Sequence, residues 1–133
     1  MTPNVPQTQV APMKSVLVVE DSDDVRESYV RWLEKAGYSV REARDGAEAM
    51  RLASESRPDL VLLDISLPGM DGYALAKRWH REPGMASVPV IVLSGRSGEE
   101  HESRARGSGV VLSLQKPCPP DLILSAIQGA LQS

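Results

Sequence analysis

Phenylalanine is missing from this chain of 133 residues, and the other aromatics amount to two tryptophans and three tyrosines. A core must therefore be built mainly from aliphatic side chains. Cysteine occurs once, at Cys118, which excludes an intramolecular disulfide and a cysteine-based zinc site and fits a reducing cytosol. A free, partly buried thiol is the plain expectation there. No stretch approaches the ~18 consecutive apolar residues of a membrane-spanning helix. The first thirteen residues, MTPNVPQTQVAPM, lack both charge and an apolar run suited to a signal peptide. With three of the ten prolines they read as a flexible tail, 1–13, ahead of one domain, 14–133. Neither sign of charge dominates: 15 basic against 18 acidic side chains leave a net charge of −3, so neither nucleic acid nor a membrane is an expected partner.

What is present is ordinary for a soluble globular protein. Hydrophobic residues make up 41% and charged residues 25%, which excludes wholesale disorder and a collagen-like chain. The length allows one domain with a real core, so the expectation is a stand-alone cytoplasmic domain whose output is carried by its own surface.

From Lys14 onward short apolar runs alternate with longer amphipathic stretches, the pattern of parallel βα units. Val16 to Val19, Leu60 to Leu63, Val88 to Leu93 and Val110 to Leu112 are unbroken apolar runs, as expected of strands covered on both faces. Tyr38 to Arg44 alternates instead and suggests an edge strand. Val25, Tyr29, Trp32, Leu33 and Ala36 recur at helical spacing after the N-cap candidate Ser22, and Gly37 follows as a stop. Ala47, Met50 and Ala53 mark a second helix; Tyr73, Leu75, Ala76 and Trp79 a third. The last runs through Leu122, Ile123, Ala126, Ile127, Ala130 and Leu131, entered by Pro119-Pro120. Five strands alternating with five helices make an open, doubly wound α/β sheet the leading fold.

In such sheets the functional crevice lies beyond the carboxyl ends of the strands. The first strand ends in Glu20-Asp21, the third in Asp64 and the fourth in Ser94, and the fifth is followed by Lys116-Pro117. If the first and third strands are neighbours, these three carboxylates converge on one spot and repel one another unless a cation intervenes, and hard oxygen ligands favour magnesium or manganese. An ammonium and a hydroxyl alongside would frame a multiply charged anion such as a phosphoryl group. His80 and His101 sit among charged residues, as solvated helix-face histidines do, and Asp23 and Asp24 read as first-turn acids favoured by the helix dipole.

These residues carry a family resemblance. Asp64-Ile65-Ser66-Leu67-Pro68-Gly69-Met70-Asp71-Gly72 is similar to the signature around the phosphorylated aspartate of two-component response regulator receiver domains, with its proline four residues on and its glycine eight on. The acidic pair, the hydroxyl 30 residues after Asp64 and the Lys-Pro 22 residues further on match in order and separation, and the resemblance spans about residues 14 to 131. It implies a five-stranded parallel (βα)5 flavodoxin-like sheet of order 2-1-3-4-5. It also implies a phosphoprotein that takes a phosphoryl group onto Asp64 from a sensor histidine kinase, a histidine phosphotransfer protein or a small phosphodonor. Asp21 and Asp64 would ligate magnesium (manganese possible) directly, Glu20 through a water and Ser66 through its backbone carbonyl. Lys116 and Ser94 would contact phosphoryl oxygens, and a cis Lys116-Pro117 bond would aim the lysine inward. Output would go to an unidentified downstream protein, from a signalling domain with at most autophosphatase activity.

Two departures bear on how the signal leaves. The position three before Lys116, commonly Tyr or Phe in the family, is Ser113, and the segment Gly98 to Gly107 is poor in apolar residues for a fourth helix. The expectation is that Ser94 and the glycine-containing loop beyond it signal through ordering of a mobile segment, without an aromatic switch at Ser113. A haloacid dehalogenase-like phosphatase would need a second acid where Ser66 stands. A phosphorelay intermediate or a degenerate, phosphorylation-independent receiver are the remaining alternatives.

Overall fold

The computed structural model describes residues 13–64, 66–67, 70–95 and 110–132. The apolar runs form strands β1 (Ser15–Val19), β3 (Leu60–Asp64) and β4 (Val90–Ser94); β2 (Ser39–Ala43) and β5 (Leu112–Gln115) complete one parallel sheet of order β2-β1-β3-β4-β5. That is the expected 2-1-3-4-5 doubly wound topology. β3 lies at its centre, buried at every position. Helices α1 (Asp23–Lys35), α2 (Gly46–Glu55), α3 (Gly72–Arg81) and α4 (Pro120–Gln132) cover the two faces. The fourth of the five expected helices, 98–107, lies outside the described residues.

Side chains alternating along the strands divide the core. Leu17, Val19, Val61, Leu63, Val90 and Val92 meet α2 and α3 through Ala49, Ala53, Tyr73, Ala76 and Trp79. Val16, Val18, Leu60, Leu62, Ile91 and Leu93 meet α1 and α4 through Tyr29, Leu33, Ile123 and Ile127. Each central strand is thus apolar on both faces because both are covered, at roughly 25 cal/mol per Å² removed from water.

Local signals set the helix ends. The Ser22 side chain accepts from Val25 N–H at 3.4 Å, capping α1. At its other end Tyr38 N–H donates to Leu33 O and Gly37 N–H to Glu34 O, both at 3.0 Å, a closure that needs the left-handed φ of +100° found at Gly37. α4 opens on Pro120, which has no N–H to leave unpaired.

Several expectations need correction. The last strand is shifted towards the C-terminus, to Leu112–Gln115, and pairs only with β4, so it is an edge strand and not one covered on both faces. Val88 is buried but precedes β4. On α1 the buried stripe is Arg26, Tyr29 and Leu33, whereas Val25 is 38% exposed and Ala36 is exposed. Ala47 and Leu122 also face outwards; Ala49 and Ile123 take the core positions.

Candidate functional site

The register of the sheet brings the strand-end groups together. β1 lies between β2 and β3, and β3 between β1 and β4, so the residues leaving β1, β3 and β4 emerge side by side at one edge. Glu20 follows β1 directly; its N–H donates to Ala43 O at 3.0 Å, continuing the ladder one residue past the strand. Asp64 closes β3 opposite Leu93, and Ser94 is the next residue of β4. Glu20, Asp64 and Ser94 are all buried, whereas Asp21 is exposed.

Carboxylate oxygens of Glu20, Asp21 and Asp64 lie within 4.8 Å of one another. Lys116 reaches into this group from beyond β5, with Nζ 3.0 Å from Asp64 Oδ2 and 3.7 Å from Glu20 Oε1. Its N–H donates to Ser94 O at 2.7 Å, tying the lysine to the end of β4, and the Lys116-Pro117 bond is cis. Glu20 Oε2 accepts from Ser22 N–H at 3.2 Å, while Oε1 has no hydrogen-bond partner. An orphaned buried carboxylate oxygen facing two more carboxylates is a donor set suited to a hard divalent cation.

The electrostatics follow from crowding. Burial, with the Asp64 carboxyl next, pushes the Glu20 pKa up to about 7, against the pull of the Ser22 N–H. For Lys116, burial lowers the pKa, but Asp64 and Glu20 outweigh it and the net shift is upward. Between about 4.5 and 7 the folded protein therefore holds a proton on Glu20 that the unfolded chain has released. That contribution is fully present below 4.5 and is lost as pH rises through 7. In EDTA, Glu20→Gln should be more stable than the unmodified protein at pH 8 by about 2 kcal/mol, with the advantage gone near pH 4.5. Urea unfolding at both pH values checks this; identical pH slopes for the two proteins would contradict it.

Ser66 lies in a two-residue strand, Ser66–Leu67, paired antiparallel with Met70–Asp71, a small ribbon that the sequence pattern did not reveal. Ser113 is exposed and pairs in register with Val92, which places it on the α2–α3 side of the sheet. There it hydrogen-bonds the hydroxyl of the buried Tyr73, whose pKa burial raises and this bond partly restores. The residues expected to reorder beyond Gly95 and His101 lie outside the described residues. His80 is exposed, and Cys118 is a half-buried free thiol whose pKa burial raises. Asp23 and Asp24 occupy the first turn of α1.

One participant escaped the sequence reading. Arg26 donates from Nη1 to Glu20 O at 3.0 Å, from Nε to Glu42 Oε1 at 2.9 Å and from Nη2 to Asp23 Oδ1 at 2.6 Å. Its signal was its position three residues before Tyr29 and seven before Leu33, on the stripe that faces the sheet.

A doubly wound parallel sheet of order 2-1-3-4-5, with an acidic group and a lysine at the carboxyl ends of its strands, places the chain among the flavodoxin-like α/β domains. The sequence profile of the response regulator receiver domain matches residues 16–128, and the chain belongs to that family of two-component signalling domains. The transcriptional regulatory protein YxdJ of Bacillus subtilis is 36% identical over 121 residues, covering 90% of this chain and 51% of that protein. Protein PilH of Pseudomonas aeruginosa is 29% identical over 119 residues, covering 90% of this chain and 98% of that one. The chain spans about half the length of YxdJ and of the PhoB regulator of Pseudomonas aeruginosa, at 51% and 52%. Among solved structures, the chemotaxis response regulator CheY4 of Vibrio cholerae superposes with a TM-score of 0.85 at 29% identity, covering 90% of this chain and 99% of that one. The signal receiver domain of a histidine kinase from Syntrophus aciditrophicus gives 0.84 at 34% identity, covering 90% of each. Among the described residues no helix is long and apolar enough to cross a membrane.

Proposed function

We propose that the receiver, residues 14–133, takes a phosphoryl group onto Asp64 from a phosphohistidine on a sensor histidine kinase or phosphotransfer protein, and passes the signal on by binding a downstream protein. The observation that carries this reading is the salt bridge of Lys116 Nζ to Asp64 Oδ2 at 3.0 Å beside the Glu20–Asp21 pair. Loss of the lysine or of an acid would argue for a degenerate receiver, and Glu20, Asp21, Asp64 and Lys116 are all present.

An Asp64 carboxylate oxygen attacks phosphorus while the P–N bond to imidazole breaks, its electron pair leaving with the ring nitrogen. Lys116 holds the nucleophile's second oxygen beforehand and takes up a phosphoryl oxygen afterwards, and the Ser94 hydroxyl donates to another. Glu20, Asp21, Asp64 and the Ser66 carbonyl would hold magnesium or manganese, which would supply the charge neutralisation an anion needs to approach three carboxylates. A shallow apolar depression of about 440 Å³, lined by Val25, Tyr29, Trp32, Lys116, Pro117 and Cys118, adjoins the lysine and offers a footing for the phosphohistidine-bearing partner.

Exposed Asp21 suits a direct ligand and buried Glu20, already engaged by Ser22, one acting through water. Calorimetric titration with magnesium tests this: Asp21→Ala should weaken binding about 100-fold and Glu20→Ala about tenfold. Equal losses would contradict the division of labour.

A further inference from the structure

Glu20, Asp64, Ser94 and Arg26 are the buried polar side chains among the described residues. The first three belong to the site; Arg26, a permanent cation at 8% exposure on the core stripe of α1, calls for its own explanation. A guanidinium in that position displaces an apolar residue from the sheet-facing stripe, and its desolvation has to be met by close partners. It finds them on three elements: the exit of β1 at Glu20 O, the first turn of α1 at Asp23 and the edge strand β2 at Glu42.

The contact with Glu20 O gives the arrangement its consequence. That carbonyl shares a rigid plane with the N–H of Asp21, so fixing it sets the direction in which the chain leaves β1 and the point from which the Asp21 side chain starts. Ala43 O holds the N–H of Glu20 from the other side, at 3.0 Å. Asp21 is exposed, so its aim depends on this backbone rather than on packing. Glu42 and Asp23 in turn hold the guanidinium, and a lysine ammonium cannot span three acceptors in divergent directions.

We propose that Arg26 is a positioning residue that sets the Glu20–Asp21 peptide plane and so pre-organises the acidic pair for a divalent cation. The inference rests on the proposed magnesium site. It is tested by calorimetric magnesium titration at a temperature where circular dichroism shows every variant folded. Arg26→Lys should bind magnesium about tenfold more weakly. Arg41→Lys is the control for a purely structural loss, since Arg41 also donates to two carbonyls, Leu52 O and Ser56 O, but at the end of α2. It should lower the melting temperature and leave magnesium affinity unchanged. Glu42→Gln/Asp23→Asn keeps the guanidinium while weakening its two anchors and should give about a threefold loss; this variant decides the matter if Arg26→Lys fails to fold. Unaltered magnesium affinity in folded Arg26→Lys, or in the double variant when it alone folds, would overturn the positioning role. Failure of the unmodified protein to bind magnesium would overturn the site itself.

Discussion

Asp64→Asn should gain no phosphoryl group from phosphoramidate and magnesium under conditions in which the unmodified protein gains one. The substitution is nearly isosteric at a position 5% exposed in the fully buried strand β3, so the fold has little reason to change. What changes is the chemistry. An amide oxygen is a poor nucleophile, a neutral side chain is a weak ligand for a hard cation, and no stable acyl phosphate forms on it. Lys116, 3.0 Å from Asp64 Oδ2 in the unmodified protein, then faces Glu20 as its remaining buried carboxylate. Loss of the like-charged neighbour also removes one cause of the raised Glu20 pKa, which should fall. Intact-mass spectrometry reads the principal outcome, an unshifted Asn variant, and the same mass gain in both proteins would refute the assignment of Asp64.

Lys116→Met should separate two properties that Asp64→Asn removes together. The lysine is the cation facing Glu20 and Asp64 from beyond β5, and its removal leaves their carboxylates facing one another. Phosphorylation by phosphoramidate should slow by about 10² to 10³, the usual loss on removing a donor aimed at developing oxyanion charge. Magnesium binding should instead hold or tighten, because the ammonium no longer competes for Asp64. A structural collapse would lower both, so parallel loss of magnesium affinity and phosphorylation rate would count against the role given to Lys116.

How far the site could be read from the sequence depended on what each residue answers to. Glu20, Asp64 and Ser94 stand where apolar runs stop, and in a parallel sheet neighbouring strands bring such stops together at one edge; the strand order that makes them neighbours, and the place of Lys116 beside them, are what the family resemblance implies. Arg26 answers to partners that no local pattern names: one of its acceptors, Glu42, lies 16 residues away on another strand. Helical periodicity therefore favoured Val25, which turned out 38% exposed, over its charged neighbour. The final strand was misjudged for a related reason. Val110 to Leu112 looks like a strand buried on both faces, yet β5 lies at the edge and its partner β4 sets the register from Leu112 to Gln115. The ribbon of Ser66–Leu67 and Met70–Asp71 is two residues a side, too short for alternation to register. Ser113 was legible as an absence of an aromatic ring; the Tyr73 hydroxyl that meets it comes from α3, 40 residues earlier in the chain.

Metal-dependent phosphorylation of a single aspartate can be read by trapping the product. Borohydride reduces an acyl phosphate on aspartate to homoserine, marking the acceptor permanently for peptide mapping. The unmodified protein treated with phosphoramidate and then borohydride should carry homoserine at position 64 when magnesium is present and none when EDTA replaces it. Homoserine at another position, or equal conversion at position 64 with and without the metal, would contradict the account.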